Sequence, residues 1–459
     1  MDHGVVSGAR GRRATSRYTV RVRRDRGPGT RSRPRVPRAR LHELRIDATQ
    51  VPEGWRIARL GQVAEVVGGS TPSRARPEFW GGDIPWVVPS ELTELAGRYL
   101  QGSRESITID GLESAGLRVL PAGSILLTTR ATIGLVAINT LPISTNQGFQ
   151  SLVRRNGTES LWLYYCISSK RRELERRGAG STFREVSRDS VRALPILLPP
   201  LAEQRAIAAV LDSIDEAIES ADEVIAATER LRDALLHELL TRGLPGQHSE
   251  WKEVPGVGTI PASWQAVRLG DVCGINPCSW SLGSESETIR YLDLTAVVAP
   301  GEVAEPREIN SDRAPSRARR RVASGDILVS TVRPNLRGFA RIREAPANLI
   351  ASSGFAVLSA WQGVSGSYAY QHVMSAPFAS HLEKATTGQA YPAVRPDDVA
   401  SYTFGLPTPE EQTAIAEVLD SVDASIERAR EERAVLLAAA KSVADALLSG
   451  RVRVDQRRK

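Results

Sequence analysis

Guanidinium and carboxamide groups crowded into short loops flanked by Pro and Gly are the side chains here best placed to do chemistry. That chemistry is hydrogen bonding to base edges and phosphates. In the first half of the chain, Ser73, Arg74 and Arg76 lie in a Pro-flanked loop before Phe79-Trp80, Arg130 follows an apolar run, and Asn146-Gln147 offers two adjacent amides. In the second half, "STVRPNLRG" carries Arg333, Asn335 and Arg337, and "TGQAYPAVR" adds Gln389, Tyr391 and Arg395. An Arg fork fits guanine O6/N7 or a phosphate, and a carboxamide fits adenine. Plainer readings stand beside these. Trp80 and Trp86 suit a core better than a stacking platform. Asn146-Gln147 also suits a structural turn, and "RAPSRARRR" (Arg313 to Arg321) also suits a solvated run facing phosphates without specificity.

No catalytic machinery accompanies these loops. There is no Asn/Asp-Pro-Pro-aromatic signature of an amino-methyltransferase ("NPCSW" at Asn276 is not one), no glycine-rich cofactor loop and no Gly-Lys-Ser/Thr phosphate loop. The six His residues have no metal spacing, and Cys273 and Cys278 lack a second Cys/His pair. The expectation is therefore no catalytic residue, no metal and no cofactor bound by this chain. The three cysteines, Cys166, Cys273 and Cys278, suggest a reducing compartment, and no apolar run approaches a membrane span or a secretory signal. A cytoplasmic location follows as an expectation. The net charge of +7 is uneven: residues 1–40 hold thirteen Arg against two Asp, a net +11, which leaves −4 for the rest. Residues 1–47 read as a disordered tail, either a phosphate-binding arm or a dispensable extension.

What positions the loops is a repeat. "LPPLAEQRAIAAVLDSIDEAI" (Leu198 to Ile218) returns as "LPTPEEQTAIAEVLDSVDASI" (Leu406 to Ile426), offset by 208 residues with 13 of 21 positions identical. Trp55 and Arg59-Leu60-Gly61 match Trp264 and Arg268-Leu269-Gly270. "AGSILLTTR" (Ala122 to Arg130) matches "SGDILVSTVR" (Ser324 to Arg333), and Gly148-Phe149 matches Gly354-Phe355. Val66–Pro121 and Ile275–Val322 show no convincing alignment, so the copies share a frame and differ in the loops, where binding specificity usually sits. Apolar or small residues at 207, 211, 214, 218, 221, 225 and 228, then 235 and 239, alternate spacings of four and three, with Arg232 the poor member. The second copy runs Ile415, Leu419, Val422, Ile426 and Ala429, breaks at Arg433, and resumes through Leu436, Ala440, Val443 and Leu447. These are heptad seams on helices of roughly 38 residues, about 57 Å long. Thr408 with Pro409 and Glu411 supplies capping chemistry, and Gly243 and Gly450 end the helices. The predicted organisation is a tail (1–47), an α/β (α+β) domain (48–198), a long helix (199–243), a linker (244–259), a second α/β (α+β) domain (260–405), a second long helix (406–450) and a basic tail (451–459). The two helices pair as an antiparallel coiled coil about a pseudo-two-fold axis and hold two different domains at a fixed separation.

"GGSTPSRARPEFWGGDIPWV" (Gly68 to Val87), "STNQGF" (Ser144 to Phe149), "LPILLPPLAEQRAIAAVLD" (Leu194 to Asp212) and "GTIPASWQAVRLGDV" (Gly258 to Val272) resemble the specificity subunits of type I restriction-modification systems over about residues 50 to 450. The Arg-rich first 40 residues are not a feature of that family. The resemblance implies two target recognition domains, each reading one half of a bipartite double-stranded DNA site. It also implies paired helices that dock two methyltransferase subunits, with S-adenosylmethionine bound by those partners, and a translocase-nuclease subunit that joins the assembly. On this reading the repeated helix residues Glu203, Gln204, Ile207, Leu211, Glu411, Gln412, Ile415 and Leu419 belong to the partner-binding helices. The rival reading is a free-standing bipartite DNA-binding regulator.

Overall fold

A computed structural model describes residues 51–178, 184–281, 288–359, 361–388 and 392–454. Two long helices, Leu201–Arg242 and Pro409–Leu448, form the axis of this part of the chain. They run antiparallel. Ile207 and Leu211 of the first cluster with Leu447 of the second, and Leu236, Leu239 and Leu240 cluster with Ile415 and Leu419. The expected seams face inward. The two break points carry ion pairs instead of gaps: Arg232 Nε lies 2.7 Å from Asp423 of the other helix, and Arg433 pairs with Asp222. Thr408 caps the second helix by accepting from the Glu411 N–H, whereas the first starts after Pro200 with no side-chain cap.

Each domain is built on a buried sheet. In the first, β1 (Ala64–Gly68), β3 (Tyr99–Leu100), β5 (Ile125–Leu127), β6 (Val136–Asn139) and β8 (Gln150–Arg154) form five strands in the order β1-β8-β5-β6-β3. In the second, β9 (Gly274–Ile275), β13 (Ile327–Ser330), β14 (Phe339–Arg341) and β16 (Phe355–Ser359) form four, in the order β9-β16-β13-β14. Ile125–Leu127 and Ile327–Val329 are apolar at every position because both faces of the sheet are covered. Ile125 and Leu127 point to the core shared with the long helices and Leu126 to a second core; Ile327 and Val329 are divided from Leu328 in the same way.

The segments that do not align in sequence nevertheless fold alike. β2 (Trp80–Val87) pairs antiparallel with β4 (Glu105–Ile107) and parallel with β7 (Ser144–Thr145). β10 (Thr288–Leu292) pairs antiparallel with β11 (Arg307–Asn310) and parallel with β15 (Leu349–Ser352), which is followed by an edge strand, β12 (Ala318–Arg321), on its other side. Backbone hydrogen bonds specify this pairing and leave side chains free to differ. Residues 244–259, expected as a linker, carry the first strand of a hairpin (Trp251–Val254 with Gly258–Pro261), and Leu244, Val254 and Val257 pack on the second domain's core.

Each domain is fastened to the start of its own helix by one repeated device. Trp55 Nε1 donates to Glu203 at 2.8 Å, and Trp264 Nε1 donates to Glu411 at 3.1 Å. The following Gln side chain bridges three backbone groups in each copy: Gln204 those of Glu159, Gly157 and Pro199, and Gln412 those of Ser365, Gly363 and Pro407. The segment beyond the other helix closes each joint. Arg453 donates to both Glu203 oxygens, and the Leu244 N–H and His248 ring bond Glu411. Gly243, at φ +75°, turns the chain into this contact; a Cβ there would lie 2.5 Å from a Glu411 oxygen. The eight residues placed on the partner-binding helices are engaged inside the chain. Glu203, Gln204, Ile207, Leu211, Glu411, Gln412, Ile415 and Leu419 are all buried in contacts within the chain.

Two outcomes follow. Gln412→Ala leaves buried peptide groups unpaired and is expected to cost about 1–3 kcal/mol, read as a lower urea midpoint. Burial opposes ionisation of Glu203, but the hydrogen bonds from Arg453 and Trp55 outweigh it and hold its carboxyl below the ordinary range. A depressed folded pKa means the stabilisation is complete above the ordinary carboxylate pKa, about 4.3, and is lost as pH falls below it. Glu203→Gln is expected to flatten the acid limb of the stability–pH curve below about pH 5.

Candidate nucleic-acid interface

At one end of each sheet the loops converge, and this end is opposite the Gln–helix joint. In the first domain the end of β1, the end of β5 and the start of β8 meet there. Thr129 donates its N–H and hydroxyl to the Gly148 carbonyl, and the Val186 N–H bonds the Thr129 carbonyl. In the second domain Thr331 makes the same pair of bonds to Gly354, and the Val394 N–H bonds Thr331. One threonine thus ties three loops together in each copy: the loop after the central strand, the Gly-Phe turn, and the segment that leads to the long helix.

The structure brings most first-domain candidates to this end. The Ser70 N–H bonds the Thr145 carbonyl and Thr71 bonds Gln147, which seats the Ser73–Arg76 loop beside Asn146-Gln147. Asn146 Oδ1 accepts from the Gly148 N–H at 2.8 Å, so the structural-turn reading holds for it, while Gln147 remains exposed. Arg74 donates two bonds to Glu105, at 2.6 and 2.7 Å, and lies 3.6 Å above the Trp80 ring. The Arg74 guanidinium holds the Glu105 carboxyl below its usual range. Both groups are largely exposed, and a surface pair of this kind contributes little, so releasing Arg74 from Glu105 costs little. Ser73 accepts from Trp80 Nε1 through its carbonyl, and Arg76 is exposed beside Phe79. Trp86 is core; Trp80 is half-buried and supports Arg74. Arg130 is exposed and pairs with Glu185 at 2.9 Å.

In the second domain, Arg333 and Asn335 are exposed on the loop after β13. Arg333 has φ +50°, a left-handed conformation costly for a non-glycine residue, and two backbone bonds hold it: its N–H to Pro392 and its carbonyl from Leu336. Among the described residues its guanidinium has no recorded partner. Arg337, also at φ +50°, is corrected: its guanidinium turns inward and donates to the Met374 carbonyl, so it is not on the reading surface. Arg395 is exposed, and its backbone N–H caps a short helix through Asp398. Gln389 and Tyr391 lie outside the described residues. In the basic run, Arg313, Arg317, Arg319 and Arg321 are exposed, and the Arg317 carbonyl accepts from the Ser353 N–H next to Gly354, which places the run's middle at this same end.

Sequence reasoning missed Arg188 and the short helix Arg171–Arg177. Arg188 bonds Gln150 beside Gly68, and Arg171 packs on Gly134 of the Arg130 loop, with Arg172 and Arg176 exposed nearby on the same helix. Among the described residues no cluster of His, Cys, Asp and Glu could hold a metal, and no helix is long and apolar enough to cross a membrane.

Arg333→Gly relieves the backbone strain while removing the guanidinium. It is expected to leave thermal stability unchanged or higher and to weaken binding to the target sequence more than to random DNA. Equal loss on both, in a salt-controlled titration, makes Arg333 a phosphate contact.

A family model described as the type I restriction modification DNA specificity domain matches twice, over residues 52–229 and 261–436. The chain is 34% identical over 229 residues to the type I restriction enzyme MjaIX specificity subunit of Methanocaldococcus jannaschii, spanning 49% of this chain and 53% of that relative. It is 24% identical over 426 residues to the MjaVIII specificity subunit of the same organism, spanning 90% and 95%. Among solved structures it is similar in fold to a chain from work on complex assembly and conformational transition of a type I R-M system (TM-score 0.56, 21% identity, 88% of this chain and 99% of that one). It is also similar to the S subunit of a type I system from M. genitalium (TM-score 0.53, 13% identity, 88% and 98%). With two matched copies spanning most of its length, the chain belongs to the type I restriction-modification DNA specificity family.

Proposed function

We propose that this chain is the DNA-recognition subunit of a type I restriction-modification complex, with a role in recognition rather than catalysis. The observation that carries the reading is the pair of Arg- and amide-bearing sheet ends mounted on one antiparallel helix pair. Two different sheet ends imply a bipartite, asymmetric site, with half-sites about one helical turn, 34–36 Å, apart. A mismatched base pair costs only about 1–3 kcal/mol, so one domain reading a few pairs discriminates poorly; linking two makes the second binding event intramolecular.

The chemistry falls to partners that act in the cytoplasm, where chromosomal DNA lies. Two methyltransferase subunits carry S-adenosylmethionine, and a translocase-nuclease subunit joins them. Because the repeated first turns are buried, the partners dock on the outer helix faces, where Val224, Leu231, Val435 and Leu437 are exposed.

Exchanging residues 48–198 for the same region of another family member is expected to change one half of the methylated sequence and leave the other half intact, as read by methylation-sensitive sequencing. A change in both halves sinks the modular reading. Binding with no methyltransferase partner in a pull-down returns the chain to a free-standing regulator.

A further inference from the structure

The repeated helix opening places an identical pair of aspartates on each long helix, Asp212 and Asp215 on the first and Asp420 and Asp423 on the second. The groups that fill these two sockets differ. In the first domain the socket is met by Arg98, whose side chain is 7% exposed. Its guanidinium lies 2.6 Å from Asp212, 3.4 Å from Asp215 and 3.2 Å from Glu219, and the Tyr165 hydroxyl donates to Asp215 at 2.7 Å. Arg98 sits just before β3, an edge strand with no counterpart in the second domain's main sheet among the described residues. Its carbonyl is pinned by the Ile138 N–H of β6, and Gly97, at φ +85°, brings the turn against Glu219. In the second domain Arg341 of β14 and Gln371 meet Asp420 instead, while Asp423 is taken by Arg232 of the other helix.

Glu203, Gln204 and the core packed on Ile207, Ala208 and Leu211 attach the first domain to the opening turns of its helix. Contacts confined to those turns hold the tilt with a short lever. Arg98 grips the same helix roughly 14–24 Å beyond Glu203, at 1.5 Å per residue, and two separated points define an orientation. Orientation is what a gap requires. Changing the space between half-sites by one base pair shifts the second by only about 3.4 Å but turns it by about 35° around the DNA axis. A rigid spacer with a domain free to rock would tolerate that turn.

We propose that Arg98 is a positioning residue that sets the tilt of the first domain on the helix pair and thereby enforces the length of the gap between half-sites. This rests on the bipartite DNA-recognition reading above. Arg98 touches no base on this account and leaves the identity of each half-site alone.

The test uses the full chain assembled with its methyltransferase subunits. Duplexes carry both native half-sites, identified from the wild-type methylation pattern, with the gap varied one base pair at a time. Wild type is expected to methylate one gap length. Arg98→Ala is expected to raise methylation at gaps one base pair shorter or longer about tenfold relative to the native gap, roughly 1.4 kcal/mol of lost discrimination, with unchanged half-sites. Arg98→Lys, which keeps the charge but loses the fork, is expected to fall between. If Arg98→Ala fails to assemble, the paired change Asp212→Asn with Asp215→Asn removes the socket from the helix side and should loosen the gap in the same way. A gap profile as sharp as wild type in whichever variant assembles, or altered half-sites, overturns the role of Arg98. A wild-type assembly indifferent to gap length overturns the bipartite reading itself.

Discussion

A carboxylate buried in the first turn of each long helix and bonded to an indole is the contact on which the rest of this architecture depends. Burying a charge is costly unless donors satisfy it, and Glu203 and Glu411 meet that demand with donors from two places: a Trp at the start of the domain and the segment that follows the other helix. Each joint therefore closes only when both halves of the chain are in position. The joint also explains why Glu-Gln repeats so faithfully: the Gln beside it satisfies three backbone groups that no shorter side chain reaches.

From these joints outward, conservation between the two halves declines with distance. The joint is nearly identical, the central strands share an apolar pattern, and the paired strands β2 and β10 share only their partners. At the far end, Arg74 over Trp80 has no counterpart in the strained turn that presents Arg333. Threonines 129 and 331 mark the boundary, since each spends its hydroxyl holding a loop junction whose other residues are free to vary.

The repeat, the helix pairing and the inward seam were legible because periodicity survives in a single sequence. Arg232 and Arg433, poor members of an apolar stripe, turned out to carry charge across it. Three things were not legible. The matched topology of β2 and β10 is written in backbone bonds, which impose no side-chain pattern. The burial of Glu203 and Glu411 was hidden because a carboxylate at a helix start reads as solvent-facing until a distant indole is placed over it. Arg337 reads as a loop cation like Arg333, four residues away, yet one turns inward to a carbonyl and the other does not. Only the third dimension separates them.

Each hydrophobic core takes the beginning of one long helix and the end of the other. Leu447 completes the core that Ile207 and Leu211 begin, and Leu236 and Leu239 complete the one that Ile415 begins. A ribosome delivers these pieces far apart in time: at 5–20 residues per second, the interval between Leu211 and Leu447 is roughly 10–50 s. Through that interval the first domain waits with an uncovered apolar flank, so the nascent chain's exposure to aggregation and to chaperones is set by its second half.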